Sequence, residues 1–141
     1  MLLLAVCDDM PMECVNIAKQ IRELLGQSGM EGVIKKYISG QELLDSKENF
    51  DMIFLDIKMP EMSGMELARK IREQGKRSLI IFVTSAGEYV FEAFDVEAFQ
   101  YLVKPIRRET LKKVLEKAVR KIQADVDDDF LLIQTESKTK K

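Results

Sequence analysis

Five short apolar runs alternate along the chain with segments whose apolar residues recur every three or four positions. The runs are rich in branched and aromatic residues, and they predict strands over residues 2–7, 33–38, 52–55, 79–83 and 99–103. Strands and helices that alternate in this way favour right-handed crossovers and a parallel sheet with helices on both faces. The sequence therefore predicts an α/β fold, a (βα)5 doubly wound five-stranded parallel sheet.

The charge of each run indicates its place in the sheet. Runs 52–55 and 79–83 contain no charged residue, which is typical of central strands that are buried on both faces. The second run carries Lys35 and Lys36, as the exposed edge of a sheet does. We therefore expect the strand order 2-1-3-4-5, in which the first and third strands are neighbours.

Helix signals fill the segments between the runs. Pro11 falls in the first turn of the first helix, and the pairs Ser39 with Glu42 and Ser85 with Glu88 have the spacing of capping boxes. The predicted core positions of the first, third and last helices are Cys14, Ile17, Ala18, Ile21, Leu24, Leu25, Gly64, Leu67, Ala68, Ile71, Leu111, Val114, Leu115, Ala118 and Ile122.

Length and charge narrow the class of protein. A chain of 141 residues with a net charge of −2 fits one globular domain and is not typical of an electrostatic binder of nucleic acid. The longest apolar runs are far shorter than the ~20 residues of a membrane span, and the N-terminus lacks the basic region of a signal peptide. We therefore expect a cytoplasmic protein with no membrane contact.

Cys7 and Cys14 occupy apolar positions and are expected to be reduced core thiols.

Polar residues follow four of the five predicted strands. Asp8 and Asp9 follow the first strand and Asp56 the third, while Thr84 ends the fourth and Lys104 follows the fifth. Ligands of doubly wound sheets bind beyond the carboxyl ends of the strands, beside the point where the strand order reverses. In the order 2-1-3-4-5 three carboxylates meet there, and the sequence therefore predicts a site in that crevice.

Three carboxylates with one lysine repel one another strongly unless a cation is bound among them. Oxygen ligands with open positions for water and phosphate suit Mg2+. With Mg2+ on Asp9 and Asp56, a free oxygen of Asp56 is able to attack phosphorus and form an acyl phosphate. Lys104 and the Thr84 hydroxyl are then placed to stabilise the charge of the transition state.

Each of these residues also has an ordinary structural interpretation. Asp9 is a candidate helix cap, Asp56 a turn acid, Thr84 a strand end and Lys104 a surface cation. These interpretations do not explain why all of them fall at one end of the apolar strands. The joint pattern therefore favours a functional site.

Four stretches of residues 1–123 resemble the receiver domain of bacterial two-component response regulators, which has a flavodoxin-like or CheY-like fold. They are "CDDMP", "FLDIKMPEMSGMEL", "IIFVTSAGE" and "FQYLVKPI", and they occur in the order of the family. The resemblance implies that a sensor histidine kinase donates phosphate to Asp56. The chain contains no histidine, which agrees with a donor on another protein.

The same resemblance implies a role for each matching residue. Asp8, Asp9 and Asp56, with the backbone carbonyl of Lys58, match the ligands of Mg2+. Thr84 and Lys104 match the residues that contact the phosphoryl group, and Pro105 follows a peptide bond that is usually cis in the family. Thr84 and Tyr101 match a pair that switches conformation after phosphorylation.

The segment "EYVFEAFDVEAFQYLVKPI" resembles, in particular, receivers attached to LytTR-type DNA-binding domains. In the family, the face formed by the fourth helix, fifth strand and fifth helix controls output, often through dimerisation. The resemblance therefore implies a homodimer that depends on phosphorylation. The alternative is that Phe91, Phe94, Phe99 and Tyr101 are simply core aromatics, which accounts for at least two of them.

The tail over residues 124–141 changes character, with an acidic linker, a strand-like run at 130–133 and a basic end. We expect either the truncated start of a LytTR-type domain, with the run as its first strand, or a disordered extension. In the first case DNA is bound only through a domain that this chain lacks.

Two other functions remain open at this point. A phosphatase of the haloacid-dehalogenase type also combines an aspartyl nucleophile, Mg2+, a hydroxyl and a lysine, but its nucleophile follows the first strand in a D-x-D motif. The first strand here ends in "DD", and position 58 is Lys. A non-phosphorylated pseudo-receiver that serves only as an interaction module usually lacks one of the site residues. None is missing here.

Overall fold

A computed structural model describes residues 1–139, with side chains described through residue 127. Its sheet has five parallel strands in the order β2-β1-β3-β4-β5. The strands are β1 Leu2–Cys7, β2 Gly32–Tyr37, β3 Met52–Leu55, β4 Leu79–Thr84 and β5 Gln100–Val103. Helices alternate with these strands along the chain, so the predicted α/β class and strand order are confirmed.

The five helices are α1 Pro11–Gln27, α2 Gly40–Asp45, α3 Gly64–Glu73, α4 Val90–Asp95 and α5 Arg108–Thr139. Pro11 opens α1, where its missing N–H costs nothing. Ser39 caps α2 as predicted, because its hydroxyl accepts a hydrogen bond of 3.1 Å from the Glu42 N–H. Ser63 caps α3 in the same way, although the sequence analysis did not single it out.

The predicted capping box of Ser85 and Glu88 is wrong. Helix α4 begins only at Val90, and no side chain caps it. The Thr84 hydroxyl accepts a hydrogen bond from the Ala86 N–H at 3.2 Å, which turns the chain before the helix begins. A hydroxyl residue and a glutamate at the right spacing therefore fall in the loop between β4 and α4.

The sheet separates two hydrophobic clusters. Side chains alternate along β1, so this strand contributes residues to both clusters. Leu4 and Val6 pack with α1 and α5 on one face, while Ala5 and Cys7 pack with α2, α3 and α4 on the other. Cys7 and Cys14 are free and buried, as predicted, and burial raises the pKa of both thiols, that of Cys7 to about 12.

Helix α5 differs from the expectation for the tail. Its backbone is helical to Thr139, so the strand-like run at 130–133 is part of a helix in this structure. The physical reason is that no glycine or proline follows Pro105 to end the helix. Lys140 and Lys141 lie outside the described residues, and the division of the chain at 123/124 stays a prediction.

Candidate functional site

The ends of β1 and β3 position two of the carboxylates. In the β1–β3 pairing Cys7 lies opposite Leu55, so Asp8 and Asp56 each follow a paired residue. The ladder continues past both strands, because the Asp8 N–H donates to the Tyr37 carbonyl at 3.1 Å and the Asp56 N–H to the Cys7 carbonyl at 3.0 Å. Backbone pairing thus holds the two acids at the edge of the sheet that the sequence predicts.

The structure brings Asp8, Asp9 and Asp56 together, with one carboxylate oxygen of each lying within 4.8 Å of the others. Asp8 is buried, and the other two are half-buried. Burial raises the pKa of Asp8, and hydrogen bonds from the Met10 N–H and Lys104 partly offset that effect. Oxygen-only donors crowded in this way suit a hard divalent cation such as Mg2+.

Lys104 supplies the cation nearest to these acids. Its Nζ lies 2.9 Å from Asp8 Oδ2 and 3.5 Å from Asp56 Oδ2. Burial lowers the pKa of the ammonium, but the hydrogen bond that it donates to Asp8 and the charges of Asp56, Asp8 and Glu13 outweigh this effect, so the pKa is raised. Lys104 follows β5, and its peptide bond to Pro105 is cis.

Thr84 and Tyr101 meet at a single residue of the loop between β4 and α4. The Thr84 hydroxyl is fully buried and accepts a hydrogen bond from the Ala86 N–H, while the Tyr101 hydroxyl donates to the Ala86 carbonyl. Burial raises the pKa of the Tyr101 hydroxyl. Within the described part of the chain, no hydrogen bond joins Thr84 to Asp56. Among the described residues, Thr84 and Tyr101 are therefore linked to each other through Ala86, and no hydrogen bond of either side chain reaches the acids.

The Lys58 side chain forms an ion pair with a residue outside the acidic cluster. Its ammonium lies 3.7 Å from Glu88 Oε1, and both side chains are well exposed. The contact joins the loop after β3 to the loop before α4. Its side chain therefore makes an exposed ion pair at the rim of the site.

The roles of two residues in the site were missed in the sequence analysis, which did not name Glu13 and placed Gly64 only among the core positions of α3. Glu13 Oε2 lies 3.7 Å from Lys104 Nζ, so a fourth carboxylate reaches the site from the first turn of α1. The Gly64 N–H donates to the Ile57 carbonyl at 2.7 Å, which draws the start of α3 against the backbone after β3. The available signal for Glu13 was an acid in a first helical turn, which is common, and the signal for Gly64 was a glycine directly after a capping serine.

The face formed by α4 and β5 carries exposed apolar side chains. Phe91 and Phe94 are 85% and 74% exposed, whereas Phe99 and Tyr101 are partly buried against the core. The core explanation therefore holds for two of the four aromatics. Val103 on β5 is also exposed.

No helix in the described residues is both long enough and apolar enough to cross a membrane.

Comparison with known proteins gives a consistent family. Residues 4–116 match the response regulator receiver domain. A relative from Pseudomonas aeruginosa, the "Positive alginate biosynthesis regulatory protein", is 35% identical over 115 residues, which cover 82% of this chain and 46% of that protein. The "Sensory transduction protein LytT" of Enterococcus faecalis is 34% identical over 89 residues, 63% of this chain and 36% of its own length. The chain thus spans less than half the length of these curated relatives.

Solved receiver structures have the same fold. The response regulator TrrA of Thermotoga maritima, in complex with Mg2+ and BeF, is 32% identical with a TM-score of 0.67, covering 84% of this chain and 99% of that one. The REC domain of AraT from Geobacillus stearothermophilus is 27% identical with a TM-score of 0.74, and the match covers 88% of this chain and 97% of that one. The expected resemblance to LytTR-type regulators also agrees with the relatives named LytT and LytR. Sequence match, strand order and acidic crevice agree: this chain belongs to the response regulator receiver domain family of two-component signalling.

Proposed function

We propose that this receiver takes a phosphoryl group from the phosphohistidine of a sensor histidine kinase onto Asp56, with Mg2+ bound at the acidic crevice. The observation that carries the proposal is the position of Asp56, which has one carboxylate oxygen within 4.8 Å of those of Asp8 and Asp9, and its Oδ2 3.5 Å from the Lys104 ammonium. Receiver domains are signalling domains and not enzymes in the usual sense, so the only chemistry proposed here is on the receiver itself.

The two oxygens of Asp56 have different surroundings. Oδ1 accepts a hydrogen bond of 2.7 Å from the Ile57 N–H, and Oδ2 faces Lys104. In the transfer, an Asp56 oxygen forms a bond to phosphorus while the P–N bond of phosphohistidine breaks and the imidazole nitrogen keeps the electron pair. The Lys104 ammonium then stabilises the charge on the phosphoryl oxygens.

Asp8, Asp9, Asp56 and the Lys58 carbonyl are the proposed holders of Mg2+. Mg2+ fits this site because carboxylate oxygens from the ends of two strands lie close together. One of these carboxylates, that of Asp8, is buried. When bound, Mg2+ supplies positive charge that offsets the negative charge of the acids and of the transferring group.

The proposed switch passes through Thr84 and Tyr101 to the α4-β5-α5 face. Both side chains bond to Ala86, so a move of the Thr84 hydroxyl toward a phosphoryl group releases one of the two side-chain hydrogen bonds of Ala86. The exposed Phe91 and Phe94 then offer apolar area for a second copy of the chain.

The proposed output is transcriptional, through a LytTR-type DNA-binding domain outside this chain. The support is the similarity to relatives named as regulatory and sensory transduction proteins, of which this chain matches less than half. We propose that residues 1–123 form the receiver and residues 124–141 lead toward that domain, in a cytoplasmic protein.

Incubation with Mg2+ and a small phosphodonor such as acetyl phosphate, followed by intact mass measurement, tests the phosphorylation. We expect one added phosphate, and none on Asp56→Asn. Asp45→Asn is the matched control, because Asp45 is exposed at the end of α2 and bonds only to Gln41 among the described side chains. No phosphate from any donor would favour the pseudo-receiver.

Sedimentation with and without beryllofluoride tests the proposed dimer. We expect the mass to double when beryllofluoride and Mg2+ are added, and Phe91→Ser to remain monomeric. Val15→Ser is the control, since Val15 is an exposed apolar residue on α1, a helix that is not part of the proposed face. One unchanged mass in both conditions contradicts the dimer and leaves the phosphorylation result untouched.

A further inference from the structure

The Lys104 ammonium contacts three acids, and one of them has no role in the proposed transfer. Asp8 and Asp56 belong to the acidic cluster, whereas Glu13 stands outside it, in the first turn of α1. The Glu13 carboxylate lies 3.7 Å from Nζ, with its side chain 37% exposed against 19% for Lys104. The contact is therefore only partly screened by solvent.

The position of the ammonium favours the α1 side of the crevice. Its shortest contact, 2.9 Å, is to Asp8 just before α1, and Glu13 adds a second acid from that side. The contact between the ammonium and Asp56, the residue proposed to receive the phosphoryl group, is longer at 3.5 Å. Asp8 and Asp56 are proposed Mg2+ ligands, so among the described side chains Glu13 is the one acid in contact with Lys104 that lies outside the proposed metal site.

We infer that Glu13 is a positioning residue that holds the Lys104 ammonium on the α1 side of the crevice and thereby slows phosphoryl transfer to Asp56. This inference rests on the proposed function. A contact that is stronger before transfer than in the transition state raises the barrier. Lys104 has to turn its N–H donors toward the phosphoryl oxygens, and each step in that direction weakens the contact with Glu13.

The size of the effect follows from the exposure of the pair. Partly exposed ion pairs contribute little, and removal of the Glu13 charge is expected to speed transfer by about two- to fivefold. We expect this rate increase to appear in kcat, measured at a saturating concentration of the phosphodonor, because it arises after the donor has bound. If Glu13 acted only by repelling an anionic donor, the change would lie in KM.

Initial rates of phosphate uptake from acetyl phosphate in Mg2+, read by intact mass, test the inference. Acetate leaves with the electron pair of its P–O bond as the bond from Asp56 to phosphorus forms. We expect Glu13→Gln to raise kcat about two- to fivefold, and Glu13→Asp, which keeps the charge on a shorter side chain, to lie between Glu13→Gln and the unaltered chain. Thermal unfolding of each variant checks that the fold is intact.

Two further variants separate Glu13 from general charge effects. Glu23→Gln removes one charge from the same helix, where Glu23 pairs with Arg108 at 3.0 Å, and we expect its kcat to be unchanged. In a Lys104→Ala background, which is slower throughout, Glu13→Gln is expected to have no effect, because the contact it removes is already gone. Without metal, the NMR signal of the Lys104 Cε group is expected to shift in Glu13→Gln and not in Glu23→Gln.

An unchanged or lower kcat in Glu13→Gln overturns the inference. An equal rise in Glu23→Gln, or a rise that persists without Lys104, overturns it as well. In each of these cases the unaltered chain still takes up phosphate and the proposed function stands. Failure of the unaltered chain to take up phosphate overturns both.

Discussion

The backbone of Asp56 leaves no room for a side chain at Gly64. A Cβ on Gly64 would lie 1.9 Å from the Asp56 carbonyl oxygen and 2.8 Å from its carbonyl carbon. Both neighbours are backbone atoms, so they cannot move aside as the end of a flexible side chain does. The start of α3 therefore packs directly on the residue proposed to carry the phosphoryl group.

Gly64→Ala is expected to destabilise the protein by about 1–3 kcal/mol and to slow phosphate uptake, because the Asp56 backbone has to shift. Urea unfolding and the phosphodonor assay measure the two effects. Gly26→Ala is the control, since a Cβ there meets nothing within 4 Å, and in helix α1 it is expected to be neutral or to stabilise by about 0.5–1 kcal/mol. Equal stability of the two variants would contradict the close contact.

At the residue scale, the sequence predicted the acids and Lys104 because each follows a strand. The end of a strand in a parallel sheet is recognisable from a short stretch of sequence. Glu13 and Gly64 were missed because each acts through a contact with a distant residue, Lys104 or Asp56, that local sequence does not reveal.

At the scale of elements, Arg72 joins the end of α3 to the loop between α4 and β5. Its guanidinium donates to the carbonyls of Val96 at 2.8 Å, Glu97 at 3.1 Å, Lys76 at 3.0 Å and Ser78 at 2.8 Å. Burial lowers the pKa of the guanidinium. Hydrogen bonds to a half-buried cation thus hold the C-terminal end of α4, whereas exposed ion pairs lie near its N-terminal end.

Arg72→Met is expected to cost about 1–3 kcal/mol of unfolding free energy, because carbonyls of two loops lose a charged donor. Arg69→Met, one turn earlier on α3, removes only an exposed contact with Glu92 of 3.7 Å and is expected to change stability by less than about 0.5 kcal/mol. Urea unfolding of the pair measures the difference. If the two variants lose the same stability, Arg72 does not anchor this end of α4.

At the scale of the whole molecule, folding creates the repulsion among the acids. Asp8 and Asp9 come from one strand end and Asp56 from another, and their oxygens approach within 4.8 Å only in the native state. Asp8 and Asp9 are neighbours in any state of the chain, but nothing in the unfolded chain holds Asp56 beside them. A cation that binds among them therefore binds the folded state preferentially and stabilises it.

Mg2+ is expected to raise the unfolding free energy, by about 1.4 kcal/mol at ten times its dissociation constant. Thermal or urea unfolding over a range of Mg2+ concentrations measures the rise. Asp9→Asn is expected to remove most of it, while Asp45→Asn, an exposed change at the end of α2, retains it. A rise of the same size in Asp9→Asn would show that Mg2+ acts elsewhere.

Sequence alone determined the class of fold, the strand order and the strand ends that carry Asp8, Asp9, Asp56 and Lys104. These follow from local patterns, because apolar runs and helix-like spacing are written in neighbouring residues. It failed where a local signal had more than one outcome. Ser85 lies in a loop because the Thr84 hydroxyl accepts the hydrogen bond of the Ala86 N–H, and the run at 130–133 lies in a helix that no glycine or proline ends.

Only the tertiary structure decided how the site is assembled. It brought Glu13 to Lys104, set Gly64 against Asp56 and bonded both Thr84 and Tyr101 to Ala86. It also separated the exposed Phe91 and Phe94 from the aromatics that pack on the core. The physical reason is that distances between residues far apart in sequence depend on the packing of whole helices against the sheet, and no short stretch of sequence contains that information.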